Sequence, residues 1–233
     1  MSYEQIASSL MTGCTFAPNT WPASSFPIGT MWGARINDAM CVVEREYAAA
    51  LLKQLHEEQV PGAIVEFGVF EGRWLEFLMN TMDGMGMARP VLGFDSFEGL
   101  PAPTEADEGM GWAEGEYNAP LTQVSQRLRL AERPHLKLIK GWFCDTIGLP
   151  EAQVDQIAYA RVDGDLYESA VDTLSYLSGK LVDGAILVFD DWTFNPEKGE
   201  TKAFFEWAPT SGYTFESLGF FSIGRLYMRV SKT

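Results

Sequence analysis

Three observations predict an α/β fold with a mostly parallel seven-stranded sheet, an antiparallel C-terminal strand pair and helices on both faces. Short apolar runs alternate with helically spaced segments after Gly62, the pattern of strands joined by crossover helices. The runs stop at glycine or aspartate, residues that belong on a ligand-facing rim more than inside a strand. Two further runs follow each other near the end of the chain without a helix between them, which adds the antiparallel pair.

Up to about Gln59 the chain reads as helical. Within it, AMCVVEREYAAALLKQLHEEQ places Met40, Val43, Tyr47, Leu51 and Leu55 on one face. Residues 1–60 are therefore taken as an N-terminal helical segment and residues 61–233 as the main domain, with Pro61 and Gly62 marking the break. Ala63–Phe67 is the first strand, with a helix over 74–79, and Val91–Asp95 is the second. An acidic, glycine-bearing loop over 101–120 comes next and is a candidate lid. A helix over 121–129 leads to a third strand at 135–139, and residues 156–162 form a fourth. The helix Tyr167–Leu177, a fifth strand at 185–189 and a helix over 198–207 complete the alternation, and 213–218 and 222–230 form the terminal pair.

A chain of 233 residues suits one sizeable domain, and 46% hydrophobic with 21% charged residues is ordinary for a soluble protein. No apolar stretch approaches the roughly 20 residues needed to span a membrane. The N-terminus lacks the basic start and apolar run of a signal peptide. Cys14, Cys41 and Cys144 are scattered and read as reduced thiols, so a cytoplasmic location is expected. A net charge of −15 argues against nucleic acid and against anionic membranes as partners.

The strand ends carry the chemistry. Glu66 to Gly72 combines glycines, which let backbone approach a ligand closely, with the start of a helix whose N–H groups suit an anion. The same glycines also serve a tight turn. No full G-x-G-x-x-G is present, which counts against a nicotinamide dinucleotide. Asp95, followed by Ser96, ends the second strand, where a carboxylate accepts hydrogen bonds from ribose hydroxyls; a cap or turn is the alternative. After the third strand, Trp142 or Phe143 offers a ring for an adenine face, with a core role open to either. Asp163 and Asp165 end the fourth strand, and Asp190 and Asp191 the fifth. On adjacent strands these acids would repel strongly, so a compensating hard cation, Mg²⁺, Ca²⁺ or Mn²⁺, is expected. Asp165 is read as a helix cap, and Arg161 is expected to point away from the acids. His56 and His135 lie away from every strand end, which leaves no histidine base.

The runs Val65–Gly72, GFDSFEGLP over 93–101, GWFCDT over 141–146, DGDLYES over 163–169 and VFDD over 188–191 resemble the macrocin O-methyltransferase family. The resemblance extends from about Thr30 to Trp207 in one motif order. It implies a class I methyltransferase (Rossmann-like) fold, S-adenosylmethionine as methyl donor, and Mg²⁺, or Mn²⁺ in its place, on Asp163, Asp190 and Asp191. Cofactor contacts implied by motif are Glu66, Gly68, Gly72, Asp95, Ser96 and Trp142. Thr30, Met31 and Arg35 resemble a T-M-x-x-x-R element that covers the cofactor, so Met31 joins the set. Gly72-Arg73-Trp74 departs from the family, where a small residue follows the glycines. The segment after Asp191 departs as well.

The expected reaction is methyl transfer to a hydroxyl of a small molecule, a deoxysugar or other natural-product diol, by in-line displacement at a metal-held oxygen. Asp163 is the candidate general base, with loss of the proton to water as the other route. A homo-oligomer stays open. The competing class is a non-catalytic S-adenosylmethionine-binding partner in a biosynthetic system.

Overall fold

Strands buried on both faces read as continuous apolar runs, and Ala63–Phe67 (β1), Val91–Asp95 (β2) and Ile157–Val162 (β4) are buried at every position. With Leu136–Lys140 (β3), Leu181–Phe189 (β5), Tyr213–Phe221 (β6) and Arg225–Lys232 (β7) they form one seven-stranded sheet. The computed structural model describes residues 31–193, 195–221 and 224–233, with side chains from residue 41 onward.

The strand order is β3-β2-β1-β4-β5-β7-β6. β1 to β5 are parallel, and β7 pairs antiparallel with both β5 and β6. The last strand is thus inserted between the fifth and sixth, leaving β6 at the edge. Chain order reverses between β1 and β4, the place where open α/β sheets bind ligands at the carboxyl ends of their strands.

Helices cover both faces. Phe67 and Phe189 point to the side of Phe143–Thr146 (α4), Tyr167–Leu177 (α5) and Gly199–Trp207 (α6). Phe67 stands edge-on to Phe143 and Tyr176, and Phe189 packs on Phe204. Residues of opposite parity, Glu66 and Arg161, point to the side of Met31–Glu57 (α1) and Arg73–Met85 (α2). Leu121–Arg127 (α3) follows the 101–120 loop and buries Val124.

The long N-terminal helix is present, but its inward face differs from the expected one. Val43 is 53% exposed, while Glu44 is buried together with Ala48, Leu51, Leu52 and Leu55. A carboxylate takes the place on the inner face that periodicity gave to a valine, because its partners lie on β7.

Candidate active site

A cavity of about 750 Å³ opens at the carboxyl ends of β1, β2, β4 and β5. Its acidic floor follows from register. Phe67 pairs with Val162, and Val162 with Phe189, so the next residues, Gly68, Asp163 and Asp190, meet at one rung. Gly68 is required there: its φ is 92°, and a Cβ would lie 1.7 Å from the Asp163 carbonyl oxygen. One carboxylate oxygen from each of Asp163, Asp190 and Asp191 falls within 4.8 Å of the others.

The cluster is not uncompensated. Strand alternation puts residues two apart on the same side, so Arg161 points where Asp163 points, not away from it. Its guanidinium, 3% exposed, donates from Nε to Asp163 Oδ2 at 3.1 Å and from Nη2 to Asp190 Oδ1. Glu66 Oε1 lies 3.8 Å from the same group. The indole of Trp74 covers Arg161 at 4.2 Å, which accounts for the large residue after Gly72-Arg73. Arg225 on β7 adds a second cation, bonded to Asp190 Oδ1 at 2.7 Å and to Glu44 Oε2 at 3.0 Å. Burial opposes the charge on Arg161, but Asp190 and Asp163 outweigh it and hold its pKa well above the usual value.

Acid still predominates. Glu66, Asp163 and Glu200 are all pushed well above the ordinary carboxylate range, in each case by burial first. Asp165 does not cap α5. The residue before that helix is Leu166, with no side-chain cap, and Asp165 sits at φ 61° with its carboxyl against Asp191. Burial and the charge of Asp191 push Asp165 up to about 11, and burial and Asp190 push Asp191 up to about 7.

Most expected cofactor residues line this cavity: Glu66, Gly68, Asp95, Ser96 and Trp142. Asp95 accepts from Phe70 N–H at 2.7 Å and from Phe97 N–H at 2.6 Å, which fixes its carboxylate in the crevice. Ser96 Oγ donates to the Gly99 carbonyl at 2.8 Å and accepts from Glu98 N–H at 3.0 Å, so its hydroxyl serves its own turn. Gly72 lies outside the lining; it precedes α2 at φ 78° and faces Val124 and Leu128. Phe143 also lines the cavity and at the same time stands edge-on to Phe67 in the core. Arg73 is bonded to Glu71 at 2.6 Å at the surface. Thr30 lies outside the described residues, as do the side chains of Met31 and Arg35. Neither histidine is part of the lining.

Four participants were not singled out from sequence. Arg225 and Glu44 are separated from the motifs along the chain, and only the sheet order brings them in. Glu200 on α6 accepts from the N–H groups of Gly164 and Asp191 at 3.1 and 3.2 Å, binding the two acidic strand ends together. Asp107, buried in the acidic loop, accepts from Tyr167 N–H at 2.7 Å and from Thr104 N–H and Oγ1 at 2.9 and 2.8 Å. The T-x-x-D spacing of a capping box was its readable signal.

The sequence profile described as Macrocin-O-methyltransferase (TylF) matches residues 31–207. The chain belongs to this family. It is 38% identical over 146 residues to the 8-demethyl-8-(2,3-dimethoxy-alpha-L-rhamnosyl)-tetracenomycin-C 4'-O-methyltransferase of Streptomyces olivaceus. That match covers 58% of this chain and spans 55% of the relative's length. Identity to the demethyldecarbamoylnovobiocin O-methyltransferase of Streptomyces niveus is 29% over 182 residues, covering 72% of this chain and 67% of that one. Among solved structures, the O-methyltransferase NovP and the calicheamicin methyltransferase CalS11 each give a TM-score of 0.69 at 26% identity, over 81% of this chain. They cover 80% and 79% of those chains. The fold is that of a class I methyltransferase.

Proposed function

We propose that this protein is an S-adenosylmethionine-dependent O-methyltransferase that methylates a hydroxyl of a sugar-bearing natural product, assisted by a divalent cation on Asp163, Asp190 and Asp191. The observation that carries the reading is the convergence of these three carboxylates on a cavity that also contains Asp95, Trp142 and the close approach at Gly68. Family membership supports the reaction class, and the rhamnosyl substrate in the first relative's name supports a sugar acceptor.

The residues fit both groups. The three aspartates offer only oxygen, as Mg²⁺ or Mn²⁺ prefers, and Asp191 Oδ2 is buried without a hydrogen-bond partner. Bound there, a divalent cation supplies a Lewis acid that lowers the acceptor hydroxyl's pKa. For the donor, Asp95 holds the ribose hydroxyls and Trp142 flanks the adenine. Glu66 Oε2, buried and partnerless, offers an acceptor nearby. S-adenosylmethionine supplies a methyl group on a sulfonium leaving group.

Arg161 and Arg225 hold Asp190 in place and keep the acids from repelling one another apart. The two roles expected of Asp163 compete for one oxygen, because Arg161 holds Oδ2. Asp163 would therefore hold the cation rather than act as base, and the acceptor's proton would pass to water. The decisive experiment is transfer of labelled methyl from S-adenosylmethionine to rhamnosides, with and without chelator. Turnover that stops in chelator and returns with Mg²⁺ or Mn²⁺ is the expected result. Full turnover in excess chelator would remove the cation from the mechanism and leave the methyltransferase assignment standing.

A further inference from the structure

The acidic loop sends two rings into the cavity, and they meet a third from the turn after β1. Phe70 and Tyr117 stand edge-to-face with centroids 5.5 Å apart, and Trp112 lies 5.9 Å from Tyr117. All three line the same cavity as Asp163, Asp190 and Asp191. Phe70 and Tyr117 are 37% and 44% exposed, so the protein's own core does not use their apolar area.

Their backbone is unusual as well. Phe70 has φ 47° and Tyr117 φ 57°, a left-handed conformation that bulky side chains rarely adopt. Phe70 is held there by its N–H bond to Asp95, and the turn leading to Tyr117 is closed by Leu100 N–H to the Glu116 carbonyl at 2.8 Å. Gly115 N–H to the Leu100 carbonyl at 2.9 Å closes the same turn, and Asp107 anchors the loop to α5. Trp112 Nε1 adds a buried donor without an acceptor.

The chemistry selects the ligand class. One part of the cavity is carboxylate and suits hydroxyls; another is aromatic and suits a C–H face. A pyranose presents both, a polar edge and an apolar face. The Tyr117 hydroxyl is raised in pKa by burial, then by Asp165 and Asp191, and so stays a neutral donor at the border between the two. We propose that Phe70, Trp112 and Tyr117 form the platform on which the acceptor's sugar ring stacks, making them specificity-determining residues; this rests on the methyltransferase reading.

The test uses saturation-transfer NMR with methyl α-L-rhamnopyranoside as probe and catechol as comparison, on protein loaded with S-adenosylhomocysteine and Mg²⁺. The wild type should saturate the glycoside's ring C–H and methyl protons. Tyr117→Ala and Trp112→Leu should weaken glycoside binding about fivefold each, while Tyr117→Phe keeps the C–H contacts. Thermal melting of each variant separates loss of the platform from loss of the fold, and S-adenosylhomocysteine affinity, read by calorimetry, should stay within about twofold. Glycoside binding unchanged in both ring-removing variants overturns the platform. Absence of glycoside signal in a wild type that binds S-adenosylhomocysteine, or catechol saturated in its place, overturns the sugar assignment. A wild type that fails to bind S-adenosylhomocysteine overturns the methyltransferase reading beneath both.

Discussion

Asp95 combines two tasks in one carboxylate. It holds the Phe70 and Phe97 N–H groups, and its remaining lone pairs face the crevice assigned to ribose. Asp95→Ala should therefore weaken S-adenosylhomocysteine binding by roughly 1–3 kcal/mol, the scale for losing hydrogen bonds to a charged acceptor. Calorimetry that finds the dissociation constant unchanged would take Asp95 out of the donor site. Arg161 is a second case where one residue's place decides the reading. The sequence reading directs its charge away from the acids, yet period-two alternation aligns it with Asp163. The acids at the strand ends were legible because four aspartates stand at the ends of two neighbouring apolar runs. The compensating guanidiniums were not, since Arg225 comes from a strand whose position in the sheet no local pattern states.

At the scale of elements, β7 links the N-terminal helix to the acidic rim. Arg225 bonds Asp190 and Glu44, and Tyr227 on the same strand donates to Glu44 Oε1 at 2.9 Å. Glu44 is 1% exposed, and burial raises its pKa against the pull of both arginines. Removing one partner of a buried ion pair leaves the other uncompensated, at a cost of about 3–5 kcal/mol. Arg225→Met should accordingly lower the melting temperature and speed hydrogen exchange in α1. Adding Glu44→Gln should recover part of the loss. Equal exchange in α1 for wild type and Arg225→Met would show that the strand does not anchor the helix. This coupling also explains the shifted face of α1: Val43 was read as inward because partners on a strand about 180 residues away cannot be seen in a helical repeat. The strands themselves were read nearly to the residue where runs were continuous, as at Ala63–Phe67 and Val91–Asp95. β5 began four residues earlier than expected, at Leu181, because Asp183 and Gly184 interrupt its apolar pattern.

For the whole molecule, the acidic rim makes stability depend on pH and on the cation together. Folding raises the pKa of Asp191 to about 7 and that of Asp165 to about 11, above the ordinary value of about 3.9 for an unfolded aspartate. The folded state then binds more protons than the unfolded one between these limits. Their stabilising contribution is complete below about pH 4 and is lost as pH rises, first through the Asp191 titration near 7 and then towards that of Asp165. In chelator, the melting temperature should therefore fall between about pH 6 and pH 8.5. A cation bound by the triad reverses this trend, because its affinity grows as Asp163 and Asp191 lose their protons. Mg²⁺ at 100 times its dissociation constant adds about 2.7 kcal/mol, and at about 2–4 °C per kcal/mol for a chain of this size the rise is about 5–10 °C. Differential scanning fluorimetry across that pH range, with Mg²⁺ or with chelator, measures both slopes without needing an acceptor. A Mg²⁺-induced shift that is absent, or the same size at low and high pH, would mean that Asp163, Asp190 and Asp191 do not hold the cation and that Arg161 and Arg225 alone neutralise them.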